Sequence, residues 1–171
     1  MFANPSKILK SLGLRESDIV ADLGAGTGHY AVLAGALVPR GKVYAVELTK
    51  DFLDVIKNKV RDVKLSNVEI IWGNVEKKGG TKIGDSIVDA VIVSNILFQV
   101  EEKDEFLNEI KRILKTKGQV LIIDWSPDSV MKGKTIIPKG KTREMFEKRG
   151  FVFSREIDAG EQNYGIILTK I

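Results

Sequence analysis

The sequence predicts a layered α/β fold built on one sheet, and two observations indicate it. Apolar, β-branched runs alternate along the chain with segments whose apolar residues recur at helical spacing. Two further runs stand together near the C-terminal end, separated only by the sequence AGEQN, which is typical of an antiparallel hairpin. Because strands joined by helices cross over right-handed and lie parallel, we expect a mostly parallel sheet that ends in a hairpin.

The apolar runs define the predicted strands. In chain order these are Asp18–Gly24, Lys42–Leu48, Val68–Asn74, Val88–Ser94, Gly118–Trp125, Phe151–Asp158 and Tyr164–Ile171. A helix is expected over Ser6–Leu12, before the first strand. Two longer helices are indicated by apolar stripes, one formed by Phe52, Ile56 and Val60 and the other by Phe106, Ile110 and Ile113. A short helix is expected from an N-cap at Thr142 to Gly150, and residues 75–87 are expected to be mostly loop.

Composition limits the class of protein. The length of 171 residues predicts a single domain, 1–171, and the longest apolar runs are far shorter than the roughly 20 residues that span a bilayer. The first ten residues, MFANPSKILK, lack the apolar centre of a signal peptide. The sequence has no cysteine, which excludes disulfides and thiolate metal sites, and we expect a cytoplasmic protein. The net charge of +4 is mild and does not itself indicate a nucleic-acid partner.

The stretch VADLGAGTGHYA, Val20 to Ala31, carries the main functional signal. Its first glycine ends the first predicted strand and its last begins the next helix, at the sheet edge where α/β folds bind ligands. A dinucleotide fingerprint requires glycine at its first, third and sixth positions, but here the sixth position is His29. No Gly-Lys-Ser/Thr follows either, so both phosphate-binding interpretations are weakened. Tight-turn formation alone is the simpler alternative.

The same stretch resembles the first motif of class I methyltransferases, which bind S-adenosyl-L-methionine (SAM) at this turn. GKVYAVELTKDFLDVIKNKV is similar to the second strand and following helix of that family, GNVE to its third-strand motif and DSIVDAVIVSNILFQV to its fourth strand. EFLNEIKRILKTKGQVLIIDW resembles the type 11 branch, which includes ubiquinone and menaquinone biosynthesis enzymes. The resemblance covers Ser6 to Trp125 and the terminal hairpin. It implies a Rossmann-like, doubly wound, seven-stranded, mostly parallel sheet with a C-terminal antiparallel hairpin.

The resemblance also implies which residues bind SAM. Glu47 is expected to accept hydrogen bonds from both ribose hydroxyls, and Leu48 to pack against adenine. Asn74 stands where the family usually has Asp and is expected near adenine with Val75, although a turn role for Asn74 is the alternative. The remaining implied positions are those of the glycine loop and the methionine end, namely Asp22, Gly24, Ala25, Gly26, Gly28 and Ser94.

No strong acid–base constellation is visible. Asp124, at the end of the fifth predicted strand, is a candidate for orienting or deprotonating an acceptor. The alternative is that Asp124 only caps the WSPDS turn. His29 is a weaker candidate, since a residue exposed at a helix start needs no function, and a lone histidine makes no metal site. The expected mechanism is in-line displacement at the sulfonium methyl, promoted by proximity and exclusion of water, which requires no dedicated base.

Several functions stay open at this stage. Methyl transfer to a small molecule is the leading hypothesis, and RNA or protein is the alternative acceptor. The fourth-strand sequence Asn-Ile-Leu-Phe differs from the Asn-Pro-Pro-Tyr/Phe of amino-directed nucleic-acid enzymes. A nicotinamide-dependent oxidoreductase and a non-catalytic SAM-binding module are more remote alternatives. Fold alone does not exclude either of them, but His29 at the sixth position of the glycine motif disfavours a nicotinamide cofactor.

The segment Ser126 to Arg143 is long for a connection between a strand and a helix. Its part from Met131 onward contains basic and apolar residues and no acidic residue. One hypothesis is that the stretch Lys132–Arg143 covers the acceptor and attracts an anionic group. A surface loop is the alternative.

Overall fold

Strands and helices alternate through most of the chain in the computed structural model, which describes residues 4–131 and 135–171. The strands are β1 (Ile19–Leu23), β2 (Lys42–Glu47), β3 (Val68–Trp72), β4 (Val88–Ser94), β5 (Leu114–Trp125), β6 (Phe151–Ile157) and β7 (Asn163–Lys170). The helices are α1 (Pro5–Lys10), α2 (His29–Leu37), α3 (Lys50–Asp62), α4 (Lys103–Ile113) and α5 (Lys139–Glu147). None of these helices, within the described ranges, is long and apolar enough to cross a membrane.

The seven strands form one sheet in the order β3-β2-β1-β4-β5-β7-β6. Strands β1 to β5 pair in parallel, and β7 lies antiparallel between β5 and β6. The predicted mostly parallel sheet with a C-terminal hairpin is therefore confirmed. The strand order reverses between β1 and β4, and the carboxyl ends of these two strands form the crevice that α/β folds use for ligands.

Two apolar layers bury the two faces of the sheet. Successive strand residues face opposite sides, so Val20 packs in the layer formed with α1, α2 and α3, and Ala21 in the layer formed with α4 and α5. The predicted stripe of α4 is buried, as is Ile56 of α3. Phe52 is different: it is 38% exposed, because the first turn of α3 extends past the sheet edge.

Two predicted element starts are wrong by four residues, whereas the other predicted strand bounds differ by no more than two. Strand β5 begins at Leu114, not Gly118, because Leu114 pairs with Val88 directly after α4, before a register shift in the β4–β5 ladder. The intervening Lys117 has a φ of 65°, which absorbs this irregularity inside the strand. Thr142 is not an N-cap, since α5 begins at Lys139; the buried Thr142 hydroxyl instead shares a 2.7 Å hydrogen bond with the Tyr164 hydroxyl.

The hypothesis of a basic cover over residues 132–143 finds little support in the described part of that segment. Residues 132–134 lie outside the described residues. The basic side chains of α5 are paired with carboxylates: Lys139 with Glu156 at 2.8 Å, Lys141 with Glu144 at 3.4 Å, and Arg143 with Glu147 at 2.8 Å. These cations belong to a helix surface and have anionic partners already.

Candidate active site

A cavity of about 640 Å³ opens at the carboxyl ends of β1, β2 and β4. Nine of the ten residues implied as cofactor-binding line it, and the tenth, Gly28, does not. Those nine are Asp22, Gly24, Ala25, Gly26, Glu47, Leu48, Asn74, Val75 and Ser94. The sheet topology therefore brings together residues that are up to 72 positions apart, since Asp22 and Ser94 end neighbouring strands.

The three glycines of the loop after β1 have different roles. All three have positive φ, with values of 72° at Gly24, 54° at Gly26 and 78° at Gly28, a conformation that L side chains rarely adopt. A Cβ on Gly26 would meet no protein atom within 4 Å and would extend into the cavity, whereas a Cβ on Gly28 would lie 2.8 Å from the Ile56 side chain. Gly26 thus leaves room for a ligand, and Gly28 lets α2 pack against α3.

The carboxylate of Glu47 is held by three backbone donors. Its Oε2 accepts a 2.7 Å hydrogen bond from the N–H of Gly26, and its Oε1 accepts from the N–H groups of Leu48 and Thr49 at 2.9 and 2.8 Å. The side chain is 8% exposed and lines the cavity. A carboxylate has about four acceptor sites, so one site on Oε2 stays free for a hydroxyl proton, and a second hydroxyl would share Oε1 with its two backbone donors.

Asp22 provides a second carboxyl group, deeper in the same cavity. It is 2% exposed, and its Oδ2 has no hydrogen-bond partner among the described residues. Burial raises the pKa of Asp22 to about 7. A backbone hydrogen bond from Ala31 opposes this increase, and the negative charge of Glu47 adds to it. Burial, together with the charge of Asp22, also raises the pKa of the nearby Tyr30 to about 12.

The loop after β3 lines the cavity next to the end of β2 that carries Glu47. The Oδ1 of Asn74 accepts a 2.9 Å hydrogen bond from the N–H of Glu76, so Asn74 closes a turn as well as lining the cavity. The Oε2 of Glu76 accepts in turn from the N–H groups of Glu101 and Glu102 at the start of α4. Val75 and the exposed Leu48, both predicted near adenine, line this cavity.

The two catalytic candidates occupy different positions. Asp124 is buried and does not line the cavity; its carboxylate accepts from the N–H of Leu97 at 2.9 Å and of Trp125 at 2.7 Å. Burial raises its pKa, against hydrogen bonds from Trp125, Leu97 and Ile96. His29 is exposed, begins α2 and lines the cavity beside Tyr30, with the ring centroids 5.9 Å apart. The geometry supports a positioning role for Asp124.

Several further residues line the cavity without belonging to a motif that indicates it, namely Tyr30, Thr49, Phe52, Glu76, Ile96, Gln99 and Val100. Phe52 was assigned to the sheet-facing stripe of α3 because its spacing to Ile56 fits that stripe. The sequence signal that indicates the cavity instead is that Phe52 lies in the first helical turn after Glu47, the acidic residue that ends β2. Within residues 4–131 and 135–171, no group of His, Cys, Asp or Glu is arranged to hold a metal ion.

These features fit SAM, which carries a ribose, an amino group and a methyl sulfonium. Glu47 offers oriented acceptors for hydroxyl groups, and the unpartnered Oδ2 of Asp22 offers an acceptor for an ammonium group. The open side of Gly26 leaves the loop backbone accessible to the cofactor. The fold and the cavity thus define a class I SAM-dependent methyltransferase.

Comparison with known proteins shows the family. The sequence pattern of the family described as "Methyltransferase domain" matches residues 14–158, so the chain belongs to this family. The chain is similar to a solved SAM-dependent methyltransferase from Aquifex aeolicus, with a TM-score of 0.88, 27% identity and coverage of 98% of this chain and 90% of that one. This confirms the fold class, the cofactor and the resemblance found in the sequence.

Two curated relatives indicate the range of acceptors in related proteins. The ubiquinone/menaquinone biosynthesis C-methyltransferase UbiE of Pasteurella multocida is 32% identical over 116 residues, which is 67% of this chain and 42% of the relative. A probable cobalt-precorrin-6B C(15)-methyltransferase (decarboxylating) of Sulfurisphaera tokodaii is 37% identical over 102 residues, 59% of this chain and 50% of the relative. The chain therefore spans about half the length of the curated relatives that it matches.

Proposed function

We propose that the chain transfers the methyl group of SAM to a small-molecule acceptor. The observation that carries this proposal is the cavity itself, in which Glu47 and Asp22, the latter with an unpartnered Oδ2, provide two carboxyl groups. Its volume of about 640 Å³ lies in the usual range for small-ligand sites, roughly 300–1,000 Å³. The names of the two curated relatives, which describe quinone and precorrin acceptors, support the same class.

The residues of the chain bind and orient the cofactor. Glu47 holds the ribose, Leu48 and Val75 enclose the adenine, and Asp22 receives the amino group of the methionine part. When bound, SAM supplies a methyl carbon made electrophilic by its sulfonium. With the cofactor held at both ends, Ser94 and the loop after β4 border the place where an acceptor meets the methyl group.

The chain provides alignment and exclusion of water rather than strong acid–base catalysis. With SAM bound, the acceptor atom would supply the electron pair of the new bond to the methyl carbon, and the pair of the carbon–sulfur bond would stay on sulfur. The acceptor then loses a proton to solvent or to a neighbouring base. His29 is the one histidine of the chain and lines the cavity, so it is the residue placed to take such a proton.

The alternative functions receive less support. The described residues that line the cavity include no lysine or arginine, the side chains that bind an RNA backbone. His29 occupies the place of the sixth glycine of a dinucleotide fingerprint, which disfavours a nicotinamide cofactor. The cytoplasmic location and the single domain stay predictions from the sequence.

The experiment that tests the proposal supplies SAM with a trideuterated methyl group to a cell extract separated into small-molecule, RNA and protein fractions. We expect label in the small-molecule fraction with the wild-type protein, and none with Gly26→Val. Label confined to RNA or protein would reject the small-molecule acceptor. Absence of label from every fraction, despite SAM binding, would favour the non-catalytic binding module.

A further inference from the structure

We infer that the methyl acceptor is an uncharged molecule, one oxygen of which accepts a hydrogen bond from the side-chain amide of Asn95. This inference rests on the proposed function, because it names the class of substrate that would enter the same cavity. It is carried by two independent observations, the charge of the cavity wall and the way in which Asn95 is held.

The cavity wall is acidic. Three carboxyl groups line it, those of Asp22, Glu47 and Glu76, whereas no lysine or arginine does so among the described residues. Lys103 donates to the carbonyl of Val100, a lining residue, at 2.6 Å. Lys82 donates to the carbonyl of Trp72 at 2.7 Å, and the Nζ of Lys50 lies 4.7 Å from the centroid of the Trp72 ring. An anionic or phosphorylated acceptor would meet like charge from these side chains, with no cationic side chain among the described lining residues and the sulfonium of SAM as the positive group beside it.

Asn95 lies where the methyl acceptor must approach. It follows β4 directly, lines the cavity beside Ser94, and has a φ of 54°, the left-handed conformation that asparagine tolerates better than most residues. Its N–H donates to the carbonyl of Ile123 at 2.8 Å, which continues the β4–β5 pairing one residue beyond the strand. The backbone of Asn95 is thus fixed to the sheet edge.

The side chain of Asn95 is fixed as well. Its Oδ1 accepts a 2.6 Å hydrogen bond from Nδ2 of Asn163 at the start of β7. Its own Nδ2 has no hydrogen-bond partner among residues 4–131 and 135–171, so the amide donors remain available to a ligand. An amide donates to the carbonyl, hydroxyl or ether oxygen of a neutral molecule without needing a charge.

Two side chains outside the cavity hold this donor in place. Asn163 orients the Asn95 amide directly, and Asp124 accepts from the N–H of Leu97, two residues further along the same loop. Both are positioning residues. The carboxylate of Asp124 is directed at backbone N–H groups and does not line the cavity.

The test compares matched neutral and charged probes on the protein saturated with S-adenosyl-L-homocysteine. The pairs are 1-naphthol with 1-naphthyl phosphate, and geraniol with geranyl phosphate. We expect each alcohol to bind about tenfold more tightly than its phosphate ester. Asn95→Asp keeps the acceptor for Asn163 but removes the amide donor, and should weaken alcohol binding by about fivefold to tenfold.

Two controls make the test decisive. Asn108→Ala, at an exposed position of α4, should change none of these affinities. Asn163→Ala should weaken alcohol binding in the wild-type background but not in Asn95→Ala, whereas a merely structural effect would weaken it in both. Absence of S-adenosyl-L-homocysteine binding would count against the proposed function. Two results would overturn the inference if S-adenosyl-L-homocysteine still binds. One is equal alcohol affinity in the wild type and Asn95→Asp, and the other is tighter binding of the phosphate esters than of the alcohols.

Discussion

The N–H of Gly26 donates a 2.7 Å hydrogen bond to Oε2 of Glu47, which joins the glycine loop after β1 to the end of β2. The other carboxylate oxygen of Glu47 accepts two further backbone hydrogen bonds, so the side chain is oriented before any ligand binds. A site that is already ordered loses less conformational entropy on binding. The structure therefore predicts that changes at either end of this hydrogen bond affect cofactor affinity more than they affect the fold.

Glu47→Ala should weaken SAM binding by about 1.5–3 kcal/mol, because the ribose hydroxyls lose a charged acceptor and the loop loses its tether. Isothermal titration calorimetry with SAM and S-adenosyl-L-homocysteine measures this directly. Glu69→Ala is the matched control, since Glu69 is an exposed residue of β3 that pairs with Lys42 away from the cavity. Equal losses in the two variants would remove Glu47 from the site.

Gly26→Val and Gly28→Val should separate binding from stability. Gly26→Val fills space that belongs to the cavity and should abolish SAM binding, whereas Gly28→Val forces a side chain against Ile56 and should lower the thermal unfolding midpoint more. Gly13→Val is the control for backbone strain, because Gly13 has a φ of 64° in open space and does not line this cavity. Unchanged SAM affinity in Gly26→Val would mean that the loop does not contact the cofactor.

SAM affinity should rise with pH between about 6 and 8. Burial keeps the pKa of Asp22 at about 7 in the free protein, so near neutral pH a proton must leave before the carboxylate can receive the ammonium group. Binding should therefore release protons, which calorimetry detects as a heat that depends on the ionisation enthalpy of the buffer. In Asp22→Asn both the pH dependence and the proton release should disappear, and their persistence would assign them to another group.

Glu109 should stabilise the fold through Arg112. Burial alone would raise the pKa of Glu109, but hydrogen bonds from Arg112, Thr81 and Gly79 outweigh it and lower the pKa to about 2. This stabilisation is present above the ordinary carboxyl pKa of 4.5 and is lost as the pH falls through about 2.

Glu109→Gln should therefore lower the free energy of unfolding by about 1.5–3 kcal/mol, because it weakens the charge-assisted hydrogen bonds of Arg112 and leaves the exposed Asp85 as its ionic partner. Urea unfolding at pH 7 measures the change. Glu105→Gln, at an exposed position of the same helix, should have little effect. A comparable loss in both variants would show that the buried pair contributes nothing specific.

The sequence predicted the parts of the molecule that depend on local pattern. The glycine loop, Glu47 at the strand end and the β6–β7 hairpin each carry a signal within a few residues, and the structure places them as expected. The start of β5 was missed because KTKG looks like a turn, and only pairing of Leu114 with Val88 extends the strand. The hydrogen bond between Asn95 and Asn163 joins residues 68 positions apart, and no local pattern predicts it.

Phe52 and Asp124 also differ from what their local sequence predicts. Phe52 fits an apolar stripe by spacing, but its helix begins at the sheet edge, so its side chain borders the cavity. Asp124 ends a strand on the ligand side, as a catalytic carboxylate would, but three-dimensional packing directs it to the N–H of Leu97. Side-chain direction at strand ends depends on the neighbouring loop, which the local sequence does not determine.

The most direct test of the account is a crystal structure of the protein with S-adenosyl-L-homocysteine. The account predicts that both ribose hydroxyls lie within hydrogen-bond distance of the Glu47 carboxylate, and that the amino group of the methionine part lies beside Asp22. Ligand density elsewhere on the protein, or in this cavity but with the ribose away from Glu47, would contradict it.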